Sequence, residues 1–258
     1  MIDVLAVSLQ GMQQDSARME RISANLANAM TPGYKREMAS PLPQGAQFSG
    51  GTFAAAVEDV PVRSPLEAPA RLLVKTDLKP GTLRATGRPM DVALTGRGYF
   101  EVATDDGVAY TRQGEFRVDA RGRLVTAVGA RPVMGVAGLV VLTQADPVID
   151  EAGRIFERRA DGSIDTAPVA QLKIVDVEDT AMHSRGGGLL APEGGNPVEL
   201  VASDVQLRQG FLENANVNST HEMVQLIQTM RHFESMQKVA TGYDEMLGMA
   251  VRKLGDLG

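Results

Sequence analysis

The stretch that decides the fold is the C-terminal one, where residues 219–258 read STHEMVQLIQTMRHFESMQKVATGYDEMLGMAVRKLGDLG. Two apolar series run through it at intervals of seven residues, the second three positions after the first. Their members are Leu226, Phe233, Ala240, Leu247 and Leu254, with Met236, Tyr243, Ala250 and Leu257. Heptad spacing of this kind predicts a long helix that packs as in a coiled coil. Ser219 and Glu222 fit a capping box, so we expect the helix to begin at Ser219.

A second heptad series lies at the other end of the chain. Leu5, Met12, Met19 and Leu26 recur every seven residues, and Ile22 and Ala29 follow the last two by three. This series predicts a helix over about residues 2–29 that ends at Thr31-Pro32-Gly33. All 13 prolines lie between Pro32 and Pro197, which leaves both ends of the chain free to be helical and makes helices improbable in the middle.

The middle of the chain has the pattern of short strands separated by turns. Segments 99–103 and 108–112 flank the turn Asp105-Asp106-Gly107 and predict a hairpin, and segments 115–119 and 123–126 predict another. Further strand candidates are 90–94, 139–143, 154–157, 169–175, 198–201 and 205–208. Together they predict a many-stranded antiparallel domain.

The predicted fold class is therefore α+β, with long N- and C-terminal helices forming a coiled-coil-like helical domain and a central, mainly antiparallel β domain. The predicted boundaries are an N-terminal helix at 1–35, an extended Pro-rich connector at 36–77, the β domain at 78–209 and the C-terminal helix at 210–258. The two heptad series could pack against each other within one subunit, against neighbouring subunits, or both.

Composition excludes several classes of chemistry. The chain has no cysteine and three histidines, so disulfides, thiolate nucleophiles and thiolate metal sites are excluded. The formal net charge is -6, which gives no general attraction for nucleic acid. No apolar run approaches the roughly 20 residues that span a bilayer, and the N-terminus lacks the basic region of a cleaved signal peptide. We expect no nucleic-acid partner and no cleaved export signal.

No motif predicts catalysis or a cofactor. Gly96-Arg97-Gly98 lacks the third glycine and the βαβ context of a dinucleotide site, which favours a tight connection between strands. The acidic pairs at 105–106 and 150–151 lie beside turn glycines, where Asp bonds to the local backbone. His221 and His232 are eleven residues apart on one helix and too distant to share a metal. We expect no enzyme, no cofactor, no metal and no small-molecule substrate.

Three motifs, spread over nearly the whole chain, resemble the bacterial flagellar rod and hook protein family. The first spans residues 24–36, the second lies within 96–135, and the third begins at 214 and continues into the C-terminal helix. The residues that carry the resemblance are Asn25, Asn28, Thr31, Pro32, Gly33 and Tyr34; Gly98, Phe100, Tyr110, Thr111, Arg112 and Gly114; and Asn216 and Asn218. The resemblance implies a structural subunit of the axial part of the flagellum.

Membership of that family would imply export by the flagellar type III apparatus and residence in the basal-body rod, in the periplasm. The partners would be further copies of the chain, other rod subunits and the export apparatus. The terminal helices would form the assembly interface. Its predicted residues are Leu5, Met12, Met19, Ile22, Leu26, Leu226, Phe233, Met236, Ala240, Tyr243, Leu247 and Leu254.

Two finer expectations follow from the resemblance and from local sequence. Segment 86–94 and the short connector favour a proximal rod subunit, with a distal rod subunit or another family member as the alternative. Asn25 and Asn28 share one helix face and are expected to set helix register, whereas Pro32 and Gly33 are expected to end the helix at a fixed angle. A cell-wall enzyme and a stand-alone binding module are the remaining alternatives.

Overall fold

A computed structural model describes residues 3–41, 72–144, 146–159, 162–177, 182–192, 197–201 and 203–255. Helix α1 spans Asp3–Ala27 and helix α2 spans Ser219–Gly255, in agreement with the two heptad series. Between them lie short strands, numbered in chain order: β1 Glu37–Pro41, β2 Leu72–Thr76, β3 Leu83–Ala85, β4 Val92–Leu94, β5 Tyr99–Thr104, β6 Gly107–Thr111, β7 Phe116–Val118, β8 Leu124–Thr126, β9 Met134–Gly135, β10 Gly138–Leu139, β11 Val148–Ile149, β12 Arg154–Phe156, β13 Ala170–Gln171, β14 Ile174–Asp176, β15 Met182–Gly186, β16 Leu189–Pro192, β17 Val198–Glu199, β18 Leu207–Gln209 and β19 Phe211–Glu213. The predicted α+β fold class is confirmed.

The chain divides into two compact units. The helical unit contains α1 as far as Leu26, the paired strands β1 from Met38 and β2 as far as Lys75, and α2. The β unit contains residues 27–37 and 76–218. Each unit is therefore built from segments that are far apart in the sequence.

In the helical unit, α1 and α2 pack in an antiparallel arrangement. The Asn25 side chain donates a hydrogen bond to Glu222, and ten residues earlier Asp15 lies 2.6 Å from the His232 ring nitrogen. One turn further along, Gly11 faces Met236, whose side chain would lie 3.6 Å from a Cβ at that glycine. Each step toward the start of α1 is matched by an equal step toward the end of α2. The three contacts therefore define a single register.

The two ends of the predicted connector are more regular than the sequence suggested. Strands β1 and β2 pair in a two-stranded sheet, so the expected lack of regular structure does not hold there. The reason is tertiary, because the backbone hydrogen bonds of each strand are supplied by a segment about 35 residues away, which periodicity within one segment cannot reveal. The remainder of the connector, residues 42–71, lies outside the described residues.

The β unit is organised around a six-stranded sheet in the order β15-β16-β6-β5-β14-β17. Strands β11, β12 and β13 form a second sheet, and the pairs β3-β19, β4-β18, β7-β8 and β9-β10 form short ladders. Every register described within the unit is antiparallel. Both predicted hairpins, β5-β6 and β7-β8, are confirmed.

The main core of the β unit lies between these sheets. Phe100 and Phe116 are its aromatic centre, with ring centroids 5.2 Å apart in an edge-to-face arrangement. Leu124, Ile155 and Leu172 are packed into the same cluster and are almost completely buried. Burial of each such side chain contributes about 1.5–3 kcal/mol, so this core is the main source of stability in the unit.

Candidate functional site

Among the described residues, three charged side chains form a buried cluster in the β unit. Lys35, Arg112 and Glu213 have side-chain exposures of 1%, 7% and 2%. The Lys35 ammonium lies 2.7 Å from Glu213 Oε1, and Arg112 Nη1 lies 3.4 Å from Glu213 Oε2. We call these residues the ion cluster. Lys35 lies in the first motif and Arg112 in the second, and Glu213 immediately precedes the third.

Neighbouring backbone groups add further hydrogen bonds to the ion cluster. Glu213 Oε1 also accepts a hydrogen bond from the Gly81 amide at 2.8 Å. Lys35 donates to the Lys79 carbonyl at 2.8 Å, and Arg112 donates to the Gly96 carbonyl at 3.0 Å. A buried charge is tolerated only when it is paired and hydrogen-bonded, and this carboxylate meets both conditions.

Burial and charge act in opposite directions on the groups around the cluster. Burial lowers the pKa of Lys35, and the adjacent Glu213 carboxylate opposes that shift. Burial raises the pKa of the Tyr99 phenol, while the Arg112 guanidinium, 5.1 Å from the centre of its ring, opposes that rise. Pairing with Glu213 therefore offsets part of the free-energy cost of burying the Lys35 charge, which is a structural role.

The first motif enters the cluster through a sharp reversal of the chain. After α1 ends, the Thr31 amide donates to the Asn28 carbonyl and the Thr31 hydroxyl bonds to the Asn28 side chain. Gly33 then adopts φ +68° and donates its amide to the Glu213 carbonyl at 2.7 Å. A Cβ on Gly33 would overlap the backbone carbonyl of Arg112. Only glycine fits this position without moving the backbone.

Asn216 from the third motif fastens the first motif to the start of the β unit. Its side-chain oxygen accepts a hydrogen bond from the Arg36 amide at 2.7 Å, and its amide group donates to the carbonyls of Asp77 and Lys79. The Asn216 backbone amide also donates to the Tyr34 carbonyl. One side chain thus joins three segments of the chain.

The second motif supplies both the core and the approach to the cluster. Phe100 lies in the main core, Tyr110 in a second apolar cluster, and Gly98 at the bend before β5. The Thr111 hydroxyl donates to the Gly188 carbonyl and accepts from the Gln113 amide. At Gly114 a Cβ would overlap the Val92 carbonyl oxygen, so the backbones of the two segments approach as closely as glycine allows.

The structure therefore places every motif residue in the β unit except Asn25. Asn25 bonds to Glu222 in the helical unit, whereas Asn28 bonds to Thr31 at the end of the helix, so the two asparagines differ in role. Pro32 and Tyr34 flank Gly33 in the reversal, and Asn218 precedes α2. Of the ion cluster, only Arg112 is among the predicted site residues, and Lys35 and Glu213 are absent from them.

The predicted assembly residues lie on α1 and α2 with graded exposure. Ile22 is buried, whereas Leu5 and Leu247 are 46% and 43% exposed. Most of the others are half-buried: Met12, Met19, Leu26, Leu226, Phe233, Met236, Ala240 and Tyr243. Leu254 lies within α2. The heptad series therefore faces the α1–α2 contact. Its exposed members, Leu5 and Leu247, lie at one end of the helical unit, where α1 starts and α2 ends.

The described residues offer little for other chemistry. Among them, no group of three or more His, Asp or Glu side chains is placed to hold a metal ion. Neither described helix has a stretch apolar enough to cross a membrane. His232 contacts Asp15 in α1 and is therefore part of the helix packing.

Comparison with known proteins identifies the family. Residues 5–35 match the family "Flagella basal body rod protein", residues 93–156 match "Flagellar hook protein FlgE/F/G D1 domain", and residues 208–252 match "Flagellar basal body rod FlgEFG protein C-terminal". The three matched segments each contribute one member of the ion cluster.

Relatives match over most of the chain. The chain is 30% identical to the flagellar basal-body rod protein FlgG of Buchnera aphidicola from Acyrthosiphon pisum, over 96% of this chain and 98% of that one. It is 30% identical to the rod protein FlgF of Escherichia coli K12 over 88% of each chain. It is 28% identical to FlgF of Caulobacter vibrioides over the full length of both.

In this fold the ion cluster has a structural role, since its charged residues serve packing and hydrogen bonding. The chain belongs to the flagellar basal-body rod protein family. It is a non-enzymatic subunit of the rod, and membership of this family implies assembly with other rod subunits.

Replacement of Glu213 by Gln tests the ion cluster. Lys35 would remain buried without its anion, so we expect the free energy of unfolding of the β unit to fall by about 3–5 kcal/mol in urea denaturation. Asp165→Asn, which breaks the more exposed pair with Arg159, is the control and should change it by less than about 1 kcal/mol. A Glu213→Gln loss as small as that of the control would show that the pair is dispensable.

Replacement of Gly33 by Ala tests the chain reversal. We expect a loss of about 2–4 kcal/mol, because the new Cβ meets both an unfavourable φ and the Arg112 backbone. Gly87→Ala is a matched control, since Gly87 has φ +71° but nothing within 4 Å of its Cβ position. Urea denaturation of both variants separates the clash from the conformational cost, and equal losses would show that the close approach is unimportant.

Proposed function

We propose that this chain is a proximal rod subunit equivalent to FlgF, exported by the flagellar type III apparatus and built into the rod in the periplasm. Two sequence features support FlgF over FlgG, namely the short connector and segment 86–94. Relatives named FlgF and FlgG match over similar lengths at similar identity, so the choice rests on these two sequence features. In the structure, Arg88 of this segment contacts Asp91 at 2.9 Å and Glu115 at 2.6 Å, which joins it to the strand region that follows.

The observation that carries the proposed assembly role is the apolar surface of the helical unit. Leu5, Val7 and Leu9 are exposed on α1, and Met246, Leu247 and Met249 are exposed on α2. The antiparallel register puts these two groups at the same end of the unit. Apolar side chains concentrated in this way mark a protein–protein contact. We infer that neighbouring subunits cover them and that helical stacking of such contacts forms part of the axial drive shaft for motility.

Imaging of basal bodies tests the proximal assignment. The chain, carrying an epitope tag in its own bacterium, should be found by cryo-electron microscopy in the rod segment nearest the export apparatus. Deletion of its gene should leave basal bodies without a distal rod. Label along the distal segment would instead assign the chain to the FlgG position.

Replacement of Leu247 by Asp tests the assembly surface. An unpaired carboxylate in an apolar contact is unfavourable by several kcal/mol, so we expect the variant to be missing from basal bodies and motility to be lost. Leu247→Met is the control and should support normal motility. The urea denaturation of the β unit should be unchanged in both. Normal incorporation of the Asp variant would remove Leu247 from the interface.

A further inference from the structure

Helix α2 carries two exposed apolar faces beside the surface that α1 covers. The first face consists of Met223, Ile227 and Met230, which are 47–55% exposed. The second consists of Val239, Gly242, Met246 and Met249, whose three large side chains are 49–62% exposed. Both faces follow the spacing of three and four residues by which one helix packs on another.

The second face contains a hollow. A Cβ built on Gly242 would meet nothing within 4 Å, so the packing inside this chain does not require glycine there. Glycine weakens a helix interior relative to any ordinary residue. A glycine between exposed Val239, Met246 and Met249 leaves room in which the side chain of another helix can sit.

The second face is continuous with the established α1–α2 contact. Met246 is adjacent to Leu247 and follows Tyr243, which belong to the heptad series facing α1. In the observed register, Asp3 at the start of α1 is level with Asp244. The second face therefore extends past the described start of α1, where further helix packing can continue the same seam.

The two faces match each other in spacing and in charge. Each has the pattern of four, three and four residues once the next charged residue is included, 223-227-230-234 and 242-246-249-253. A parallel stagger of 19 residues, or about 28 Å along the helix, pairs Met223 with Gly242, Ile227 with Met246, Met230 with Met249, and Glu234 with Lys253. Glu234 and Lys253 are both exposed.

Charge selects the parallel direction. The antiparallel alternative has the same spacing, but it would place Glu234 at the Gly242 hollow and Lys253 against Met223. A carboxylate in an apolar hollow is unfavourable, whereas the parallel alignment sets opposite charges side by side at the edge of the contact. In the parallel alignment, the apolar side chain of Met223 faces the hollow at Gly242.

We propose that the first face of α2 docks in parallel on the second face of α2 from a second copy of this chain, staggered by about 28 Å. The proposal rests on the proposed role in rod assembly. The contact is heterologous, since each copy uses a different face toward each neighbour. Such contacts propagate without closing into a dimer, as a rod requires.

Cysteine cross-linking in assembled rods tests the contact. The natural chain has no cysteine, so a cross-link reports only engineered positions. A chain with both Ile227→Cys and Met246→Cys, as the sole copy in its bacterium, should give a ladder of disulfide-linked oligomers when isolated basal bodies are oxidised. Each single variant should stay monomeric. Ile227→Cys with Asp244→Cys is the matched control and should give no ladder, because Asp244 is exposed and lies two residues from both Gly242 and Met246, which places it on the opposite side of α2.

Filling the hollow gives an independent measurement. In the Ile227→Cys/Met246→Cys background, Gly242→Leu should lower the yield of cross-linked oligomer about tenfold or more. The new leucine would occupy the space at position 242 that the Met223 side chain of the second copy needs. The helix content of the purified chain should not fall, since leucine is the better helix former. Gly248→Leu, also with open space around its Cβ position but on another face, should leave the yield unchanged.

The outcomes separate this contact from the proposed function. Normal basal bodies that contain the chain but give no ladder would overturn the contact and leave the rod assignment standing. A ladder from the variant with both Met223→Cys and Lys253→Cys would show that the two helices pack antiparallel. Cross-links formed only to another rod protein would show that this protein, and not a second copy of the chain, covers the face. Absence of the chain from basal bodies would overturn the rod assignment and this contact with it.

Discussion

The buried pair between Lys35 and Glu213 is the interaction on which the β unit depends. It joins residues 178 positions apart, and Arg112 from the middle of the chain completes it. The apolar core around Phe100 could be satisfied by other arrangements of similar strands, whereas a carboxylate out of water accepts only the partners placed here. The pair therefore adds specificity to a core that mainly supplies stability. It also means that the β unit closes only after residues from both ends of the chain have come together, an expensive non-local step in folding.

The helical unit uses the same principle on a smaller scale. Heptad side chains favour helix packing but permit neighbouring registers, since one apolar layer resembles the next. The Asn25–Glu222 hydrogen bond and the Asp15–His232 contact remove that freedom, because any shift would leave Asp15 and Glu222 without these partners. Polar residues within an apolar seam thus set alignment, and the exposed apolar residues that remain are held in fixed positions for other subunits.

The sequence alone predicts the two helices and the hairpins, but it does not predict the β1-β2 pair or the ion cluster. Helix ends followed from Ser219, Pro32 and the heptads, because those signals are local. The paired strands β1 and β2 were missed since each depends on a partner about 35 residues away. Glu213 was missed for a similar reason. Glu213 ends strand β19, just before the third motif. A charged residue in an otherwise apolar strand is a signal that the sequence does contain. Its partners Lys35 and Arg112, however, are identifiable only in three dimensions.

The pairing of β1 with β2 has a consequence for how this chain can vary. The 30 residues from 42 to 71 connect two strands that pair with each other, so both ends of this segment are attached to one small sheet. The entropy of closing such a segment grows only with the logarithm of its length, and doubling it costs about 0.6 kcal/mol. Insertions and deletions there are therefore cheap for both units. Related chains can therefore differ in the length of this segment while the paired strands that bound it stay the same.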